Sequence, residues 1–376
     1  MVLILFIFND NDVITYGVFF SLIIISTELF TLRVNASQAR LLFEYKFSKN
    51  LILKTAFYYS IISFSFFYLI TFIFFKNLLQ EDLILIAFYF YSIFKIINNF
   101  CVLNFKIFGE QFHYLYFTLG EFIIFCSGLI LIYTFSDITF LNFICIATLS
   151  LIFSSIYCII KNKFLAKKIK NIFNKKIFTY FYVHSIKITL YSIAYFIVIH
   201  HARVLGKYFI ELNDYSLYIK ITTVLLLISM FSKLLFDVYR PELSLINSSK
   251  FNDKQALLKS KKIISNVYRL SILFITFFFL LLFTAINYFN YEFIALNTLL
   301  FCYIYLLFDM SISARLTRIV YRGMWSRLIL SYLPASIISF ASSYFLYNYY
   351  GLNGLLMSSI LLFSVIYLTS FFLIKR

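Results

Sequence analysis

Charge is scarce in this chain. Only 13% of its 376 residues are Asp, Glu, Lys or Arg, whereas an ordinary soluble domain carries about 25%. Helix breakers are scarcer, at 8 glycines and 2 prolines, so long unbroken helices are expected. The five cysteines, at 101, 126, 145, 158 and 302, follow no metal-ligand spacing. Most fall in apolar sequence, which predicts buried inert thiols. His200-His201 is the only histidine pair, and adjacent residues on a helix point in different directions, which argues against a shared metal ion. No catalytic constellation is found, and no metal or organic cofactor is assigned. Acidic residues number 16 against 33 Lys and Arg, a formal net charge of +17. Nucleic-acid binders gather such cations on one folded face. Here they are dealt out between apolar runs, which argues against nucleic acid as a partner.

Apolar sequence is what the chain has in abundance: 62% of it is hydrophobic and 22% aromatic. Residues 55–75, 138–160 and 328–374 carry no charged side chain. The first two are each about one bilayer's worth of helix and the third about two. An apolar stub covers 1–8, and full spans are predicted near 13–32, 55–75, 83–104, 112–134, 138–160, 181–201, 215–236, 270–289, 293–312, 328–346 and 352–373. The fold class is therefore an all-α integral membrane protein of about 12 transmembrane helices, the first apparently truncated. Cations fall in every second gap. Segments 33–54, 161–176, 240–269 and 315–327, with Lys106, Lys375 and Arg376, hold 26 of the 33 Lys and Arg, and the opposite loops hold only Lys76, Arg203 and Lys207. Basic loops stay in the cytoplasm, which predicts a cytoplasmic C-terminus.

The stub lacks the basic region and cleavage site of a secretory signal. Eight residues cannot cross about 30 Å of hydrocarbon at about 1.5 Å per residue, so upstream codons are expected to complete that span. Domain boundaries follow the spans: an N-terminal half at 1–160, a linker at 161–180 and a C-terminal half at 181–376, which makes two six-helix halves. In the linker, Phe164, Leu165, Ile169, Ile172, Phe173 and Ile177 recur at helical spacing among lysines. That pattern predicts an amphipathic helix lying on the anionic lipids of the cytoplasmic leaflet.

The region 201–270 carries the most specific pattern. Arg203 closes one apolar span, Tyr215-Ser216 begins the next, Lys220 follows one turn later, and Pro241 stands where that helix leaves the membrane ahead of a basic segment. Tyr-Gly turns recur at Tyr16-Gly17 and Tyr350-Gly351, the latter followed by Leu352-Asn353-Gly354. This combination resembles the O-antigen flippases of the multidrug/oligosaccharidyl-lipid/polysaccharide exporter superfamily. It departs from them at Ala202, where that family often has Asp, and at Asn213, where it often has Gly. The resemblance implies a flippase of the bacterial inner membrane, acting in O-antigen or capsule assembly and hence in lipopolysaccharide biosynthesis. It further implies a V-shaped pair of halves that gives alternating access, a polyprenyl-pyrophosphate-linked oligosaccharide as substrate, coupling to Na⁺ or H⁺, and contact with other polysaccharide assembly proteins.

Charges inside apolar spans are costly and mark cavities or polar bundle interiors. The substrate-binding candidates are Lys95, Lys187, Arg203 and Lys220, with Tyr191 and Tyr195 placed by their spacing on the face of Lys187. Lys187 and Arg203, 16 residues apart, would mark an inner and an outer station, and Lys187 stands near enough to a span end to snorkel instead. Glu28 and Glu121 are candidates for ion coupling or charge pairing, and Asp309 for pairing with Arg315 or Arg318. Two other functions share this composition. An O-antigen polymerase would need a large external loop, and the longest external loop here, 202–214, is too short for one. An ion-coupled small-molecule exporter of the same superfamily would share the fold.

Overall fold

The protein is represented by a computed structural model, which describes residues 8–29, 31, 49–79, 81–108, 111–135, 139–161, 175–238, 254–288, 296–321 and 324–375. These residues form ten α-helices and one 3₁₀ turn, with no strand among them: α1 (Asp10–Leu29), α2 (Lys49–Leu79), α3 (Asp82–Phe108), α4 (Gln111–Phe135), α5 (Phe140–Lys161), α6 (Lys175–Leu205), the turn Gly206–Tyr208, α7 (Leu212–Val238), α8 (Lys254–Tyr288), α9 (Leu296–Tyr321) and α10 (Trp325–Lys375). A kink at Gly351 divides α10 into two arms. The eleven full spans read from the sequence correspond to α1–α9 and these two arms. Residues 1–7, most of the amphipathic linker at 162–174, and Pro241 lie outside the described residues.

Eight of the helices are long and apolar enough to cross a membrane, so this is a multi-pass membrane protein. Long apolar side chains cover the outer faces of these helices. Ile62, Phe66, Leu69 and Ile70 on α2 are 55–73% exposed, and only 6% of the α4 span is buried. Such faces match hydrocarbon and would be untenable in water. Serine and threonine in these helices return their hydroxyls to the preceding turn. Thr189 donates to the Ser185 carbonyl at 2.9 Å, Ser192 to Ile188 at 2.9 Å and Thr222 to Tyr218 at 2.8 Å. The apolar setting therefore holds few unmet donors.

The chain divides into two compact units, Leu3–Ile193 and Ala194–Arg376. In the first, Phe19 on α1 meets Phe88, Tyr91 and Phe140 edge-on, with ring centroids 5.5, 6.0 and 5.3 Å away. A second cluster gathers Ile52, Ala56 and Phe57 of α2, Ile97 and Phe100 of α3, Phe117 of α4, and Ile177 and Phe181 of α6. Cys101, in that cluster, is disulfide-bonded, which corrects the expectation of inert thiols throughout. Spacing along the chain does not announce a disulfide. Cys126, Cys145 and Cys302 are free.

In the second unit the arms of α10 run antiparallel. Arg327 donates to the Leu373 carbonyl at 3.1 Å, Thr369 to the Ser331 carbonyl at 2.9 Å, and the Ser342 and Ser358 hydroxyls meet at 3.0 Å. Gly351 turns the chain at φ 55°, ψ −138°, a conformation closed to most L-residues. Gly354 then lets the arms meet, since a Cβ there would lie 1.9 Å from the Leu346 carbonyl oxygen. Tyr305 of α9 packs on Phe363 of the second arm, ring centroids 5.0 Å apart.

Candidate substrate-binding site

The end of α6, the 3₁₀ turn and the start of α7 bury His200, His201, Arg203 and Ser216 together in the second unit. Arg203 is 4% exposed. Its Nη2 donates to Thr223 Oγ1 of α7 at 2.8 Å, and its own carbonyl accepts the Tyr215 hydroxyl at 2.5 Å. Tyr215 and Thr223 are eight residues apart on one face of α7, so a single helix face grips both the backbone and the side chain of this arginine. Lys220, half-buried, stands three residues before Thr223.

The neighbouring His201, 6% exposed, joins α6 to both arms of α10. Its Nε2 lies 2.7 Å from Ser343 Oγ, which lies 2.8 Å from Ser358 Oγ. Farther into the unit Ser229 donates to Asp309. The sequence paired Asp309 with Arg315 or Arg318, but the Arg315 guanidinium lies over the rings of Tyr367 and Phe371, 4.7 and 4.9 Å from their centroids. The flat, weakly hydrated guanidinium is suited to aromatic faces. The Arg318 side chain lies outside the described residues. At the start of α7, Tyr347 donates to Asp214 Oδ2 at 3.3 Å and accepts from the Glu211 amide at 2.9 Å.

The other candidates are spread over both units. Lys187 is exposed on α6, and Tyr191 and Tyr195 are half-buried along it; the Tyr195 ring centroid lies 5.7 Å from that of Tyr332. Lys95 is half-buried on α3. Glu121, half-buried on α4, accepts a hydrogen bond from Asn98 Nδ2 at 2.9 Å, one turn from Lys95. Glu28 belongs to α1, but its side chain lies outside the described residues. Among the described residues no cluster of three or more His, Cys, Asp or Glu could hold a metal ion. Sequence reasoning missed Thr223, Ser343 and Ser358. The only signal for them was a polar residue at helical spacing from a titratable one, and apolar spans hold many such residues.

No protein-family model matches this sequence, and no curated protein matches it. Solved structures do resemble its fold. An inward-facing multidrug-resistance MATE family transporter of the MOP superfamily superposes with a TM-score of 0.67 at 12% identity, covering 98% of this chain and 91% of that one. The lipid II flippase MurJ, in an inward closed conformation, superposes with a TM-score of 0.61 at 14% identity, covering 98% and 85%. The helices of this chain are thus arranged in the fold shared by a MATE transporter and the MurJ flippase.

Proposed function

We propose that the protein is a membrane transporter of the MOP superfamily. It moves a polyprenyl-pyrophosphate-linked oligosaccharide, an O-antigen or capsule repeat unit, from the cytoplasmic to the external leaflet by alternating access. The observation that carries this reading is the likeness in fold, over nearly the whole chain, to the lipid II flippase MurJ. Cations in apolar helices suit an anionic head, and the stripe of Lys187, Tyr191 and Tyr195 suits sugars, which stack on aromatic rings. Lys95, Lys187 and Lys220 are the residues proposed to meet that head. Arg203, locked between Tyr215 and Thr223, supplies a fixed positive charge beside it. Glu28 and Glu121 are the proposed sites of coupling to Na⁺ or H⁺, and the loops rich in Lys and Arg are proposed to face the cytoplasm.

In cells whose own flippase is deleted, the wild-type chain restores surface glycan. Lys187→Ala combined with Arg203→Ala abolishes display at normal membrane levels of protein. Full display by that double variant overturns the site. Ion-coupled export of small molecules is the second reading, favoured by the multidrug-resistance MATE neighbour. It predicts drug resistance in cells expressing the chain, with no glycan display.

A further inference from the structure

A cavity of about 330 Å³ opens among α8, α9 and the second arm of α10, wholly within the second unit. Two stripes of side chains line it. On α8, Lys261, Ser265 and Tyr268 follow one another at intervals of four and three, which brings them to one face. On α9, Ser311 and Arg315 lie one turn apart. The Tyr268 hydroxyl and Ser311 Oγ meet at 2.9 Å across the helices, and Tyr367 of α10 closes the wall. Among the described lining residues two are cations, four bear hydroxyls and none is a carboxylate.

Arg315 is held for a purpose other than pairing. Tyr367 and Phe371 lie against its guanidinium, 4.7 and 4.9 Å from ring centroid to carbon. Stacking of this kind occupies the face of the group and leaves its in-plane N–H donors to form hydrogen bonds. Its Nε is buried and has no hydrogen-bond partner among the described residues, an expensive arrangement unless an acceptor completes it. Lys261 is exposed at the rim. The cavity lies toward the ends of α8 and α9 that adjoin the basic segments 254–269 and 315–327, which the charge asymmetry predicts to be cytoplasmic.

We propose that this cavity is a phosphate-ester site, in which Arg315 on α9 and Lys261 on α8 hold the anionic oxygens and Ser265, on the Lys261 face, donates a hydrogen bond. Pairs of this type are charge-assisted, and Arg offers two parallel donors to one phosphate. The ligand is the phosphodiester of an anionic lipid or a soluble phosphate, and the test separates them. The site is distinct from the candidate residues on α3, α6 and α7, so it stands or falls apart from the proposed transport activity.

The full chain is purified into nanodiscs of phosphatidylcholine with or without phosphatidylglycerol, and bound lipid is counted by native mass spectrometry. In a parallel arm inorganic phosphate is titrated against thermal unfolding in a neutral detergent. Wild type is expected to retain phosphatidylglycerol in preference to phosphatidylcholine. Arg315→Gln and Lys261→Gln should each weaken retention about tenfold, the loss of one charge-assisted contact. Lys262→Gln, which removes a neighbouring charge that does not line the cavity, should leave retention unchanged. Stabilisation of wild type by inorganic phosphate, lost in Arg315→Gln and unaccompanied by a lipid preference, also supports the site and identifies the ligand as soluble. Equal losses from Lys261→Gln and Lys262→Gln overturn the proposal, because they indicate unspecific surface attraction. So does the absence of any response to either probe. Should Arg315→Gln fail to fold, the exposed Lys261 set against Lys262 decides the question alone.

Discussion

Gly354→Ala is the sharpest test of the fold. A Cβ at this position would lie 1.9 Å from the Leu346 carbonyl oxygen, 2.4 Å from its carbon and 2.9 Å from the Tyr347 nitrogen. All three are backbone atoms, so no rotamer change relieves the clash. The arms of α10 must part by about 1 Å to restore the 3.0 Å that real contacts keep. Overpacking of this kind costs about 1–3 kcal/mol, and a rigid neighbour places it at the upper end. Alanine's better helix propensity returns about 1 kcal/mol, for a net loss of about 2 kcal/mol. Gly120→Ala is the control. Nothing lies within 4 Å of its Cβ, so only propensity acts and stability rises by about 0.5–1 kcal/mol. Thermal unfolding of both variants in one mild detergent should therefore place them on opposite sides of wild type, about 3 kcal/mol apart by these two estimates. If Gly354→Ala unfolds at or above Gly120→Ala, the two arms do not meet at this point and the hairpin is wrong.

Gly351→Ala, forced to φ 55° and ψ −138°, should lose about 1–3 kcal/mol in the same assay, the cost of a backbone region disfavoured for L-residues. Thr223→Val leaves a hydrogen bond of the buried Arg203 unmet and should destabilise by about 1.5–3 kcal/mol, the range for bonds to charged groups. Tyr215→Phe removes the hydroxyl on the Arg203 carbonyl and should lose about 1 kcal/mol; wild-type stability in both variants would show that α7 does not grip this arginine. Single-cysteine labelling, in a background lacking the native cysteines, should modify Asn348→Cys but not Ser248→Cys when an impermeant reagent is added outside spheroplasts. The reverse pattern would refute the orientation read from the charge asymmetry.

The spans were legible because hydrocarbon imposes one demand on every residue it touches. Runs such as 55–75 and 328–374 satisfy it without a single charge, and each became a helix or a pair of arms. The turn between those arms was legible too, since Tyr350-Gly351-Leu352-Asn353-Gly354 supplied the glycines that a reversal needs. Contacts across helices were not. The His201–Ser343 pair and the stacking of Arg315 on Tyr367 and Phe371 join positions far apart in sequence. No local period announces such partners. Arg203 shows both sides: its sequence context marked it as a cation at a span end, yet nothing in that context disclosed that Tyr215 and Thr223 bury it.

The proposed movement of a lipid-linked oligosaccharide between leaflets is measured most directly in proteoliposomes. The purified chain is reconstituted with a polyprenyl-pyrophosphate-linked oligosaccharide labelled on its sugar, and an impermeant quencher is added outside. Nearly all of the label should be quenched, because molecules from the inner leaflet reach the outer one, and Lys187→Ala combined with Arg203→Ala should return quenching to the outer-leaflet fraction. Quenching that stays at the level of protein-free vesicles, with wild-type protein folded and inserted, would contradict it.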